Sequence, residues 1–143
     1  MKLMPYLMFT KGACHEAFMF YAQALGGEIV SLIRYSDMPD SPEHIPPESL
    51  ERIANIHLIA GGASIMGSDN VMGGAAADDD DGRNDTTVNV EVETVEDAER
   101  VFAALSAGGQ IRMPLAETPW AIRFGMFEDR YGKPWMVNCM KTP

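Results

Sequence analysis

Apolar and polar positions along this chain fall into short blocks whose period switches between that of a strand and that of a helix. Leu3 to Thr10 is a brief apolar run closed by Lys11-Gly12 and predicts a strand. From Ala13 to Leu25 the pattern becomes helical, because Ala17, Phe20, Tyr21 and Ala24 recur at spacings of three and four and share one face. Gly26-Gly27 stops that helix, since glycine takes left-handed dihedrals without steric cost. Glu28 to Tyr35 predicts a second strand. Asp37 to Pro47 carries Pro39, Pro42, Pro46 and Pro47, which excludes a central strand or a helix interior and predicts a loop. Ile53–Ala60 and Ala63–Ser68 flank Gly61-Gly62 and predict a hairpin.

Asp69 to Asp85 breaks the pattern with Gly73-Gly74 and the run Asp78-Asp79-Asp80-Asp81, whose carboxylates repel one another and predict a solvated connector. The run lacks the interleaved spacing and closing glutamate of a calcium loop. Thr86 to Val92 then alternates, with Val88, Val90 and Val92 on one side, as a half-buried strand does. Thr94 opens a helix with Asp97 in place of the usual glutamate of a capping box, and Ala98, Val101, Phe102 and Leu105 form its apolar face. Gly108-Gly109 ends it. Short strands follow at Ile111–Leu115, broken by Pro114, at Ala121–Phe127 and at Pro134–Cys139, where the missing proline donor is tolerated at a strand start.

The two halves repeat. An offset of 82 carries Phe20 to Phe102, Gly26-Gly27 to Gly108-Gly109 and Ile29 to Ile111 (102 − 20 = 82). Each half reads strand, helix and three strands, an α+β arrangement of two βαβββ modules. Module one spans 1–70, an acidic connector 71–85, and module two 86–143, together one domain over 1–143. One such module alone leaves a sheet face open, so two must pair, within the chain or by exchange in a homodimer.

Composition narrows the functions. With 11 Lys or Arg against 21 Asp or Glu, the net charge is −10, which disfavours nucleic acid and anionic membrane surfaces as partners. No apolar run approaches the roughly 20 residues that cross a bilayer. The Met1–Tyr6 start lacks the long apolar stretch of a signal peptide, so a cytoplasmic protein is the expectation. Cys14 and Cys139 sit far apart without metal-type spacing, and free thiols are expected in that compartment. The 11 methionines serve equally as core filler or as lining for an adaptable pocket.

Several blocks carry a family likeness: Pro5-Tyr6-Leu7; Ala17-Phe18-Met19-Phe20-Tyr21 leading to Leu25-Gly26; Gly61-Gly62-Ala63-Ser64-Ile65-Met66; Glu117-Thr118-Pro119-Trp120-Ala121 with Arg123-Phe124-Gly125; and Asp129-Arg130-Tyr131-Gly132-Lys133-Pro134-Trp135-Met136-Val137-Asn138. In these the chain resembles the vicinal oxygen chelate superfamily of glyoxalase I, ring-cleaving dioxygenases, and fosfomycin and bleomycin resistance proteins, and within it the PhnB-like branch. The resemblance implies paired modules whose curved mixed sheets surround a cavity. It also implies ligand positions for a divalent metal, usually His, Glu or Gln. Strand and glycine landmarks put those positions on Pro5, Met66, Thr87 and Met136, which do not make a His/Glu set, so neither metal nor other cofactor is expected. Some PhnB-like sequences bear a demethylubiquinone methyltransferase label. The glycines here punctuate helix ends and hairpins rather than forming a cofactor loop after the first strand of a doubly wound sheet.

The leading reading is a metal-free protein that binds a small organic molecule. Its candidate contacts are Trp120, Phe124 and Trp135 as apolar walls, Arg34 and Arg123 as forks for an acidic group, and His57, which alternates with Asn55 and Ile59 on one strand face. Each has a plainer reading, as sheet packing for the aromatics, surface ion pairing for the arginines and a hydrogen-bonded structural histidine for His57. His15, early in the first helix, and His44, in the proline-rich loop, read as surface residues. The rival is a lyase, isomerase or dioxygenase-like enzyme with a displaced metal site built on His57 and Glu91 or Glu117. No Ser-His-Asp or Cys-His pair suggests itself, and Asp129-Arg130-Tyr131-Gly132 reads as a hairpin turn.

Overall fold

The computed structural model describes residues 1–38, 45–71 and 86–141. Pro39, Pro42, His44 and the Asp78–Asp81 run lie outside the described residues. The chain divides into two units, Met1–Gly82 and Arg83–Pro143. In the first, strand β1 (Tyr6–Phe9) leads into helix α1 (Cys14–Leu25), followed by β2 (Glu28–Arg34), β3 (Ile53–Ala60) and β4 (Ala63–Asp69). The strands form one sheet in the order β1-β4-β3-β2, with β1 parallel to β4 and the other neighbours antiparallel. The second unit has the same order of elements: β5 (Val88–Glu91), α2 (Val95–Ser106), β6 (Gln110–Ala116), β7 (Ala121–Glu128) and β8 (Pro134–Met140). Its sheet runs β5-β8-β7-β6, again with one parallel pair. The predicted pair of βαβββ modules is therefore present, as mixed sheets and not as a doubly wound parallel sheet. No helix among the described residues is long and apolar enough to cross a membrane.

In each unit a helix packs on one face of its sheet, and a phenyl ring docks where the sheet has no side chain. A Cβ placed on Gly67 of β4 would lie 2.7 Å from Cε1 of Phe18 of α1, and one on Gly125 of β7 would lie 2.6 Å from Cε2 of Phe102 of α2. Glycine at these two points lets the ring reach the backbone. Around Phe18 lie Phe9 and Tyr21 with ring centroids 6.1 and 5.6 Å away, and Phe102 meets Phe127 edge-on at 5.1 Å. The buried face of α1 is Cys14, Ala17, Phe18, Tyr21 and Ala24. Phe18 thus takes the inward place that periodicity assigns to Phe20, because 14, 17, 18, 21 and 24 continue the i, i+3, i+4, i+7 series around the cylinder.

A buried carboxylate ties elements of the first unit together. Asp69, at the end of β4 and 1% exposed, accepts from the backbone N–H of Cys14 at 3.0 Å and of Ile53 at 2.8 Å. It does for α1 what an N-cap side chain would do, since Ala13 supplies none, and its negative charge suits the positive helix end. Tyr35, just past β2, donates its hydroxyl to the Asp69 carbonyl at 2.8 Å, and burial raises its pKa above the ordinary tyrosine value. In α2 the expected cap forms, with Thr94 Oγ1 accepting from the Asp97 N–H at 3.1 Å.

Some boundaries differ from the sequence pattern. β1 starts at Tyr6, and Leu3 is 92% exposed. β6 runs through Pro114 as far as Ala116. It is an edge strand with register shifts on both sides of Met113, where a missing donor costs no ladder bond. Cys14 and Cys139 are both buried, and neither is in a disulfide.

Candidate functional site

Register assigns every strand residue to a face. Across the first sheet, Leu7, Gly67, Ile56 and Leu32 stand in line, and Gly67 abuts Phe18, so this line faces α1. The neighbouring line, Tyr6, Met66, His57 and Ser31, faces away from the helix. In the second sheet Val90, Val137 and Gly125 face α2, whereas Asn89, Met136, Met126 and Met113 form a line on the opposite side. One step along, Glu91, Asn138, Phe124 and Ala116 make a second line on that helix-free side.

On the helix-free face of the first unit three contacts join polar groups to neighbours. His57 Nε2 lies 2.9 Å from Ser64 Oγ, the Tyr6 hydroxyl donates to Asn55 Oδ1 at 3.2 Å, and the Ser68 hydroxyl meets the Met8 sulfur at 3.3 Å. Apolar groups share that face in the open: Tyr6 and Met8 are each 46% exposed.

The second unit differs. Phe124 is covered by Trp120, whose ring meets it edge-on at 5.4 Å while remaining 49% exposed. The turn carrying Trp120 is tied down: the Thr118 N–H donates to the Ala121 carbonyl at 3.0 Å, the Ala121 N–H to Thr118 Oγ1 at 3.0 Å, and the Lys141 N–H to the Trp120 carbonyl at 3.2 Å. Beside Phe124 in the register, Asn138 holds its side-chain carbonyl oxygen buried with no hydrogen-bond partner. Glu91, on the neighbouring strand, stands opposite Asn138 and is exposed. Glu117, before Trp120, pairs with Lys141 at 3.0 Å; that hydrogen bond and charge lower its pKa from the ordinary carboxylate value.

The residues singled out from sequence separate accordingly. His57, Trp120 and Phe124 lie on helix-free faces, His57 in the first unit and the aromatic pair in the second. Trp135 faces the helix, is wholly buried, and donates its indole N–H to Asp129 Oδ2 at 2.8 Å; the same carboxylate accepts from the backbone N–H of Tyr131 and Lys133 at 2.8 and 3.0 Å. It anchors the β7–β8 turn. Arg123 pairs in register with Cys139, on the side opposite Phe124, and its guanidinium donates to the Ile122 carbonyl at 2.8 Å. Arg34, at the end of β2, reaches Glu51 at 3.7 Å. Neither arginine joins the aromatic pair. Asn138 was missed, although alternation in Trp135-Met136-Val137-Asn138 already separates it from the buried Trp135 and Val137.

The places where metal-dependent relatives carry ligands can now be read from register. Met66 and Met136 do lie on the helix-free faces, but their partners on β1 and β5 are Tyr6 and Asn89 rather than Pro5 and Thr87. A phenol engaged with Asn55, a carboxamide and thioethers are a poor donor set for a hard divalent ion, so these residues do not fit such a metal. Among the described residues no three His, Cys, Asp or Glu side chains come together. Glu91 and Glu117 belong to the second unit and His57 to the first.

Comparison with known proteins agrees with this architecture. Protein YjdN of Escherichia coli K12 is 35% identical over 99% of this chain and 97% of its own length. The crystal structure of protein PA1353 from Pseudomonas aeruginosa superimposes with a TM-score of 0.84 at 37% identity, covering 99% of both chains. A PhnB protein from Bacillus cereus, provisionally described as a 3-demethylubiquinone-9 3-methyltransferase, gives 0.74 at 27% identity over 97% of this chain and 99% of its own. Residues 4–137 match the family model for the glyoxalase/bleomycin resistance protein/dioxygenase superfamily, and the chain belongs to that superfamily.

Proposed function

We propose that this chain binds a small organic molecule without a metal ion, as a homodimer in the cytoplasm, and that the helix-free face of the second sheet makes the contact. The observation that carries the reading is Trp120, an indole left 49% exposed although its backbone is pinned on both sides and its ring meets Phe124 edge-on. Pinning an exposed aromatic before any ligand arrives lowers the ordering cost of binding, which is how rigid aromatic anchors gain affinity. The methionines of the adjoining line add flexible, polarisable apolar surface. A carboxamide and thioethers are a poor set for a hard metal and suit this face to an organic ligand.

The test combines thermal melting with tryptophan fluorescence over a panel of small aromatic and aliphatic molecules, beside elemental analysis of untagged protein soaked in Ni, Mn, Fe or Zn. A ligand present at about 100 times its Kd stabilises the fold by about 2.7 kcal/mol and so raises the melting temperature. Of the two tryptophans, Trp135 is buried, so a ligand-dependent emission change reports Trp120. A full equivalent of divalent metal that survives dialysis and stabilises the fold would overturn the metal-free reading, and would make His57 and its surroundings the next positions to change.

A further inference from the structure

We infer that the ligand taken at Trp120 is a small planar cation with N–H donors, of the amidinium or aryl-guanidinium class; this rests on the binding reading above and specifies its chemistry. Three observations converge on it. First, the Asn138 carbonyl oxygen is buried without a donor, which is a standing cost that an incoming N–H removes. Second, register places Glu91 opposite Asn138 on the same face, so an exposed carboxylate is carried on the strand next to the orphaned oxygen. Both groups accept hydrogen bonds and neither donates from those atoms, which selects a donor and disfavours a carboxylate or phosphonate. Third, Trp120 and Phe124 supply aromatic surface on the same side, and the face of an indole attracts a cation. The arginines that would have received an acidic ligand are engaged elsewhere: Arg123 with the Ile122 carbonyl and Arg34 with Glu51. The net charge of −10 draws cations towards the molecule as a whole.

In this arrangement the amidinium donates one N–H to Asn138 Oδ1 and another to Glu91, and its ring lies against the indole.

Benzamidine, benzamide and benzoate have nearly the same shape and differ in charge and donors, so they test the assignment on the full-length chain. Their affinities are measured by calorimetry and Trp120 fluorescence at low salt. The expected order is benzamidine, then benzamide, then benzoate, with benzamidine ahead of benzamide by roughly three- to thirtyfold from one half-exposed ion pair and one cation–π contact. Glu91→Gln, an exposed position that leaves the core untouched, is expected to narrow the gap between benzamidine and benzamide to the share the cation–π contact supplies. Trp120→Leu is expected to weaken all three. Equal binding of benzamidine and benzamide, or preference for benzoate, would overturn the cation assignment and leave organic-ligand binding standing. A gap undiminished in Glu91→Gln would also overturn it. If none of the three binds and the broader panel is equally silent, both readings fail together.

Discussion

Replacing Asn138 with leucine should stabilise this protein while removing its hydrogen bond to ligand. Its buried carbonyl oxygen has no partner. An unsatisfied buried polar atom costs about 1–3 kcal/mol relative to a solvated one. Leucine has nearly the same branched outline, and its neighbours in register include the Phe124 ring, so the substitution removes that cost and leaves little void. The expected gain is about 1–3 kcal/mol, which corresponds to at least about 2 °C in melting temperature for chains of this size. Differential scanning calorimetry and urea titration both read it. Asn89→Leu is the control, because Asn89 occupies the neighbouring helix-free line but is exposed, and such changes usually stay within about 0.5 kcal/mol. A melting temperature for Asn138→Leu at or below that of the parent would refute the reasoning, since it would mean the oxygen is already satisfied in solution.

Three further outcomes are expected. Asp129→Ala removes the acceptor of three hydrogen bonds from Tyr131, Lys133 and Trp135 and leaves buried donors behind, so urea unfolding should show a loss of about 3–5 kcal/mol; a loss below 1 would deny the turn its anchoring role. Gly67→Ala puts a methyl group 2.7 Å from both the Leu7 carbonyl and the Phe18 ring, an overpacking worth about 1–3 kcal/mol, and Phe18→Leu in the same chain should recover part of it; equal stability of Gly67→Ala and parent would contradict the ring-on-glycine packing. Tyr35 has its pKa raised by burial, so the folded state holds the proton more tightly than the unfolded chain. Its contribution is complete below about pH 10 and is lost as pH rises through the folded value. Alkaline unfolding should therefore start in that window and move upward in Tyr35→Phe, even though the lost bond to the Asp69 carbonyl costs that variant about 1 kcal/mol at neutral pH.

Periodicity and glycine placement made the repeated modules legible, because strand alternation and helix stops are local properties. Faces were harder. In Arg123-Phe124-Gly125 the pattern shows two sides but not which one meets the helix; Gly125 decides it, and only through the Phe102 ring that packs on it from α2. That contact turns Arg123 away from Phe124 and, through register, sends Trp135 into the core and Asn138 to the open side. Phe18 and Phe20 differ by two positions on a helix, so composition cannot rank them, and the docking glycine on β4 does. Pro114 predicts a broken strand because ladder bonds matter in a sheet interior, whereas β6 is an edge.

The same register argument separates the two halves of the repeat by function. Met66 and Met136 hold equivalent places, as do His57 and Met126, Ser31 and Met113, and Tyr6 and Asn89. In the first unit two polar members of the line are joined to neighbours, Tyr6 to Asn55 and His57 to Ser64. Such pairs must be broken before a ligand can use them, and the exchange returns little net free energy. In the second unit three of the four members of the line are thioethers, and the adjoining polar atom, Asn138 Oδ1, is unpaired, so a donor arriving there displaces no protein partner. His57, the most conspicuous residue by sequence, is therefore a cross-strand tie between β3 and β4, and the ligand face belongs to the other half. His57→Ala should accordingly lower stability by about 1 kcal/mol through loss of the Ser64 bond and leave benzamidine affinity within about twofold of the parent. A stable His57→Ala chain that had lost its ligand would move the site to the first unit and sink the assignment to Trp120, Phe124 and Asn138.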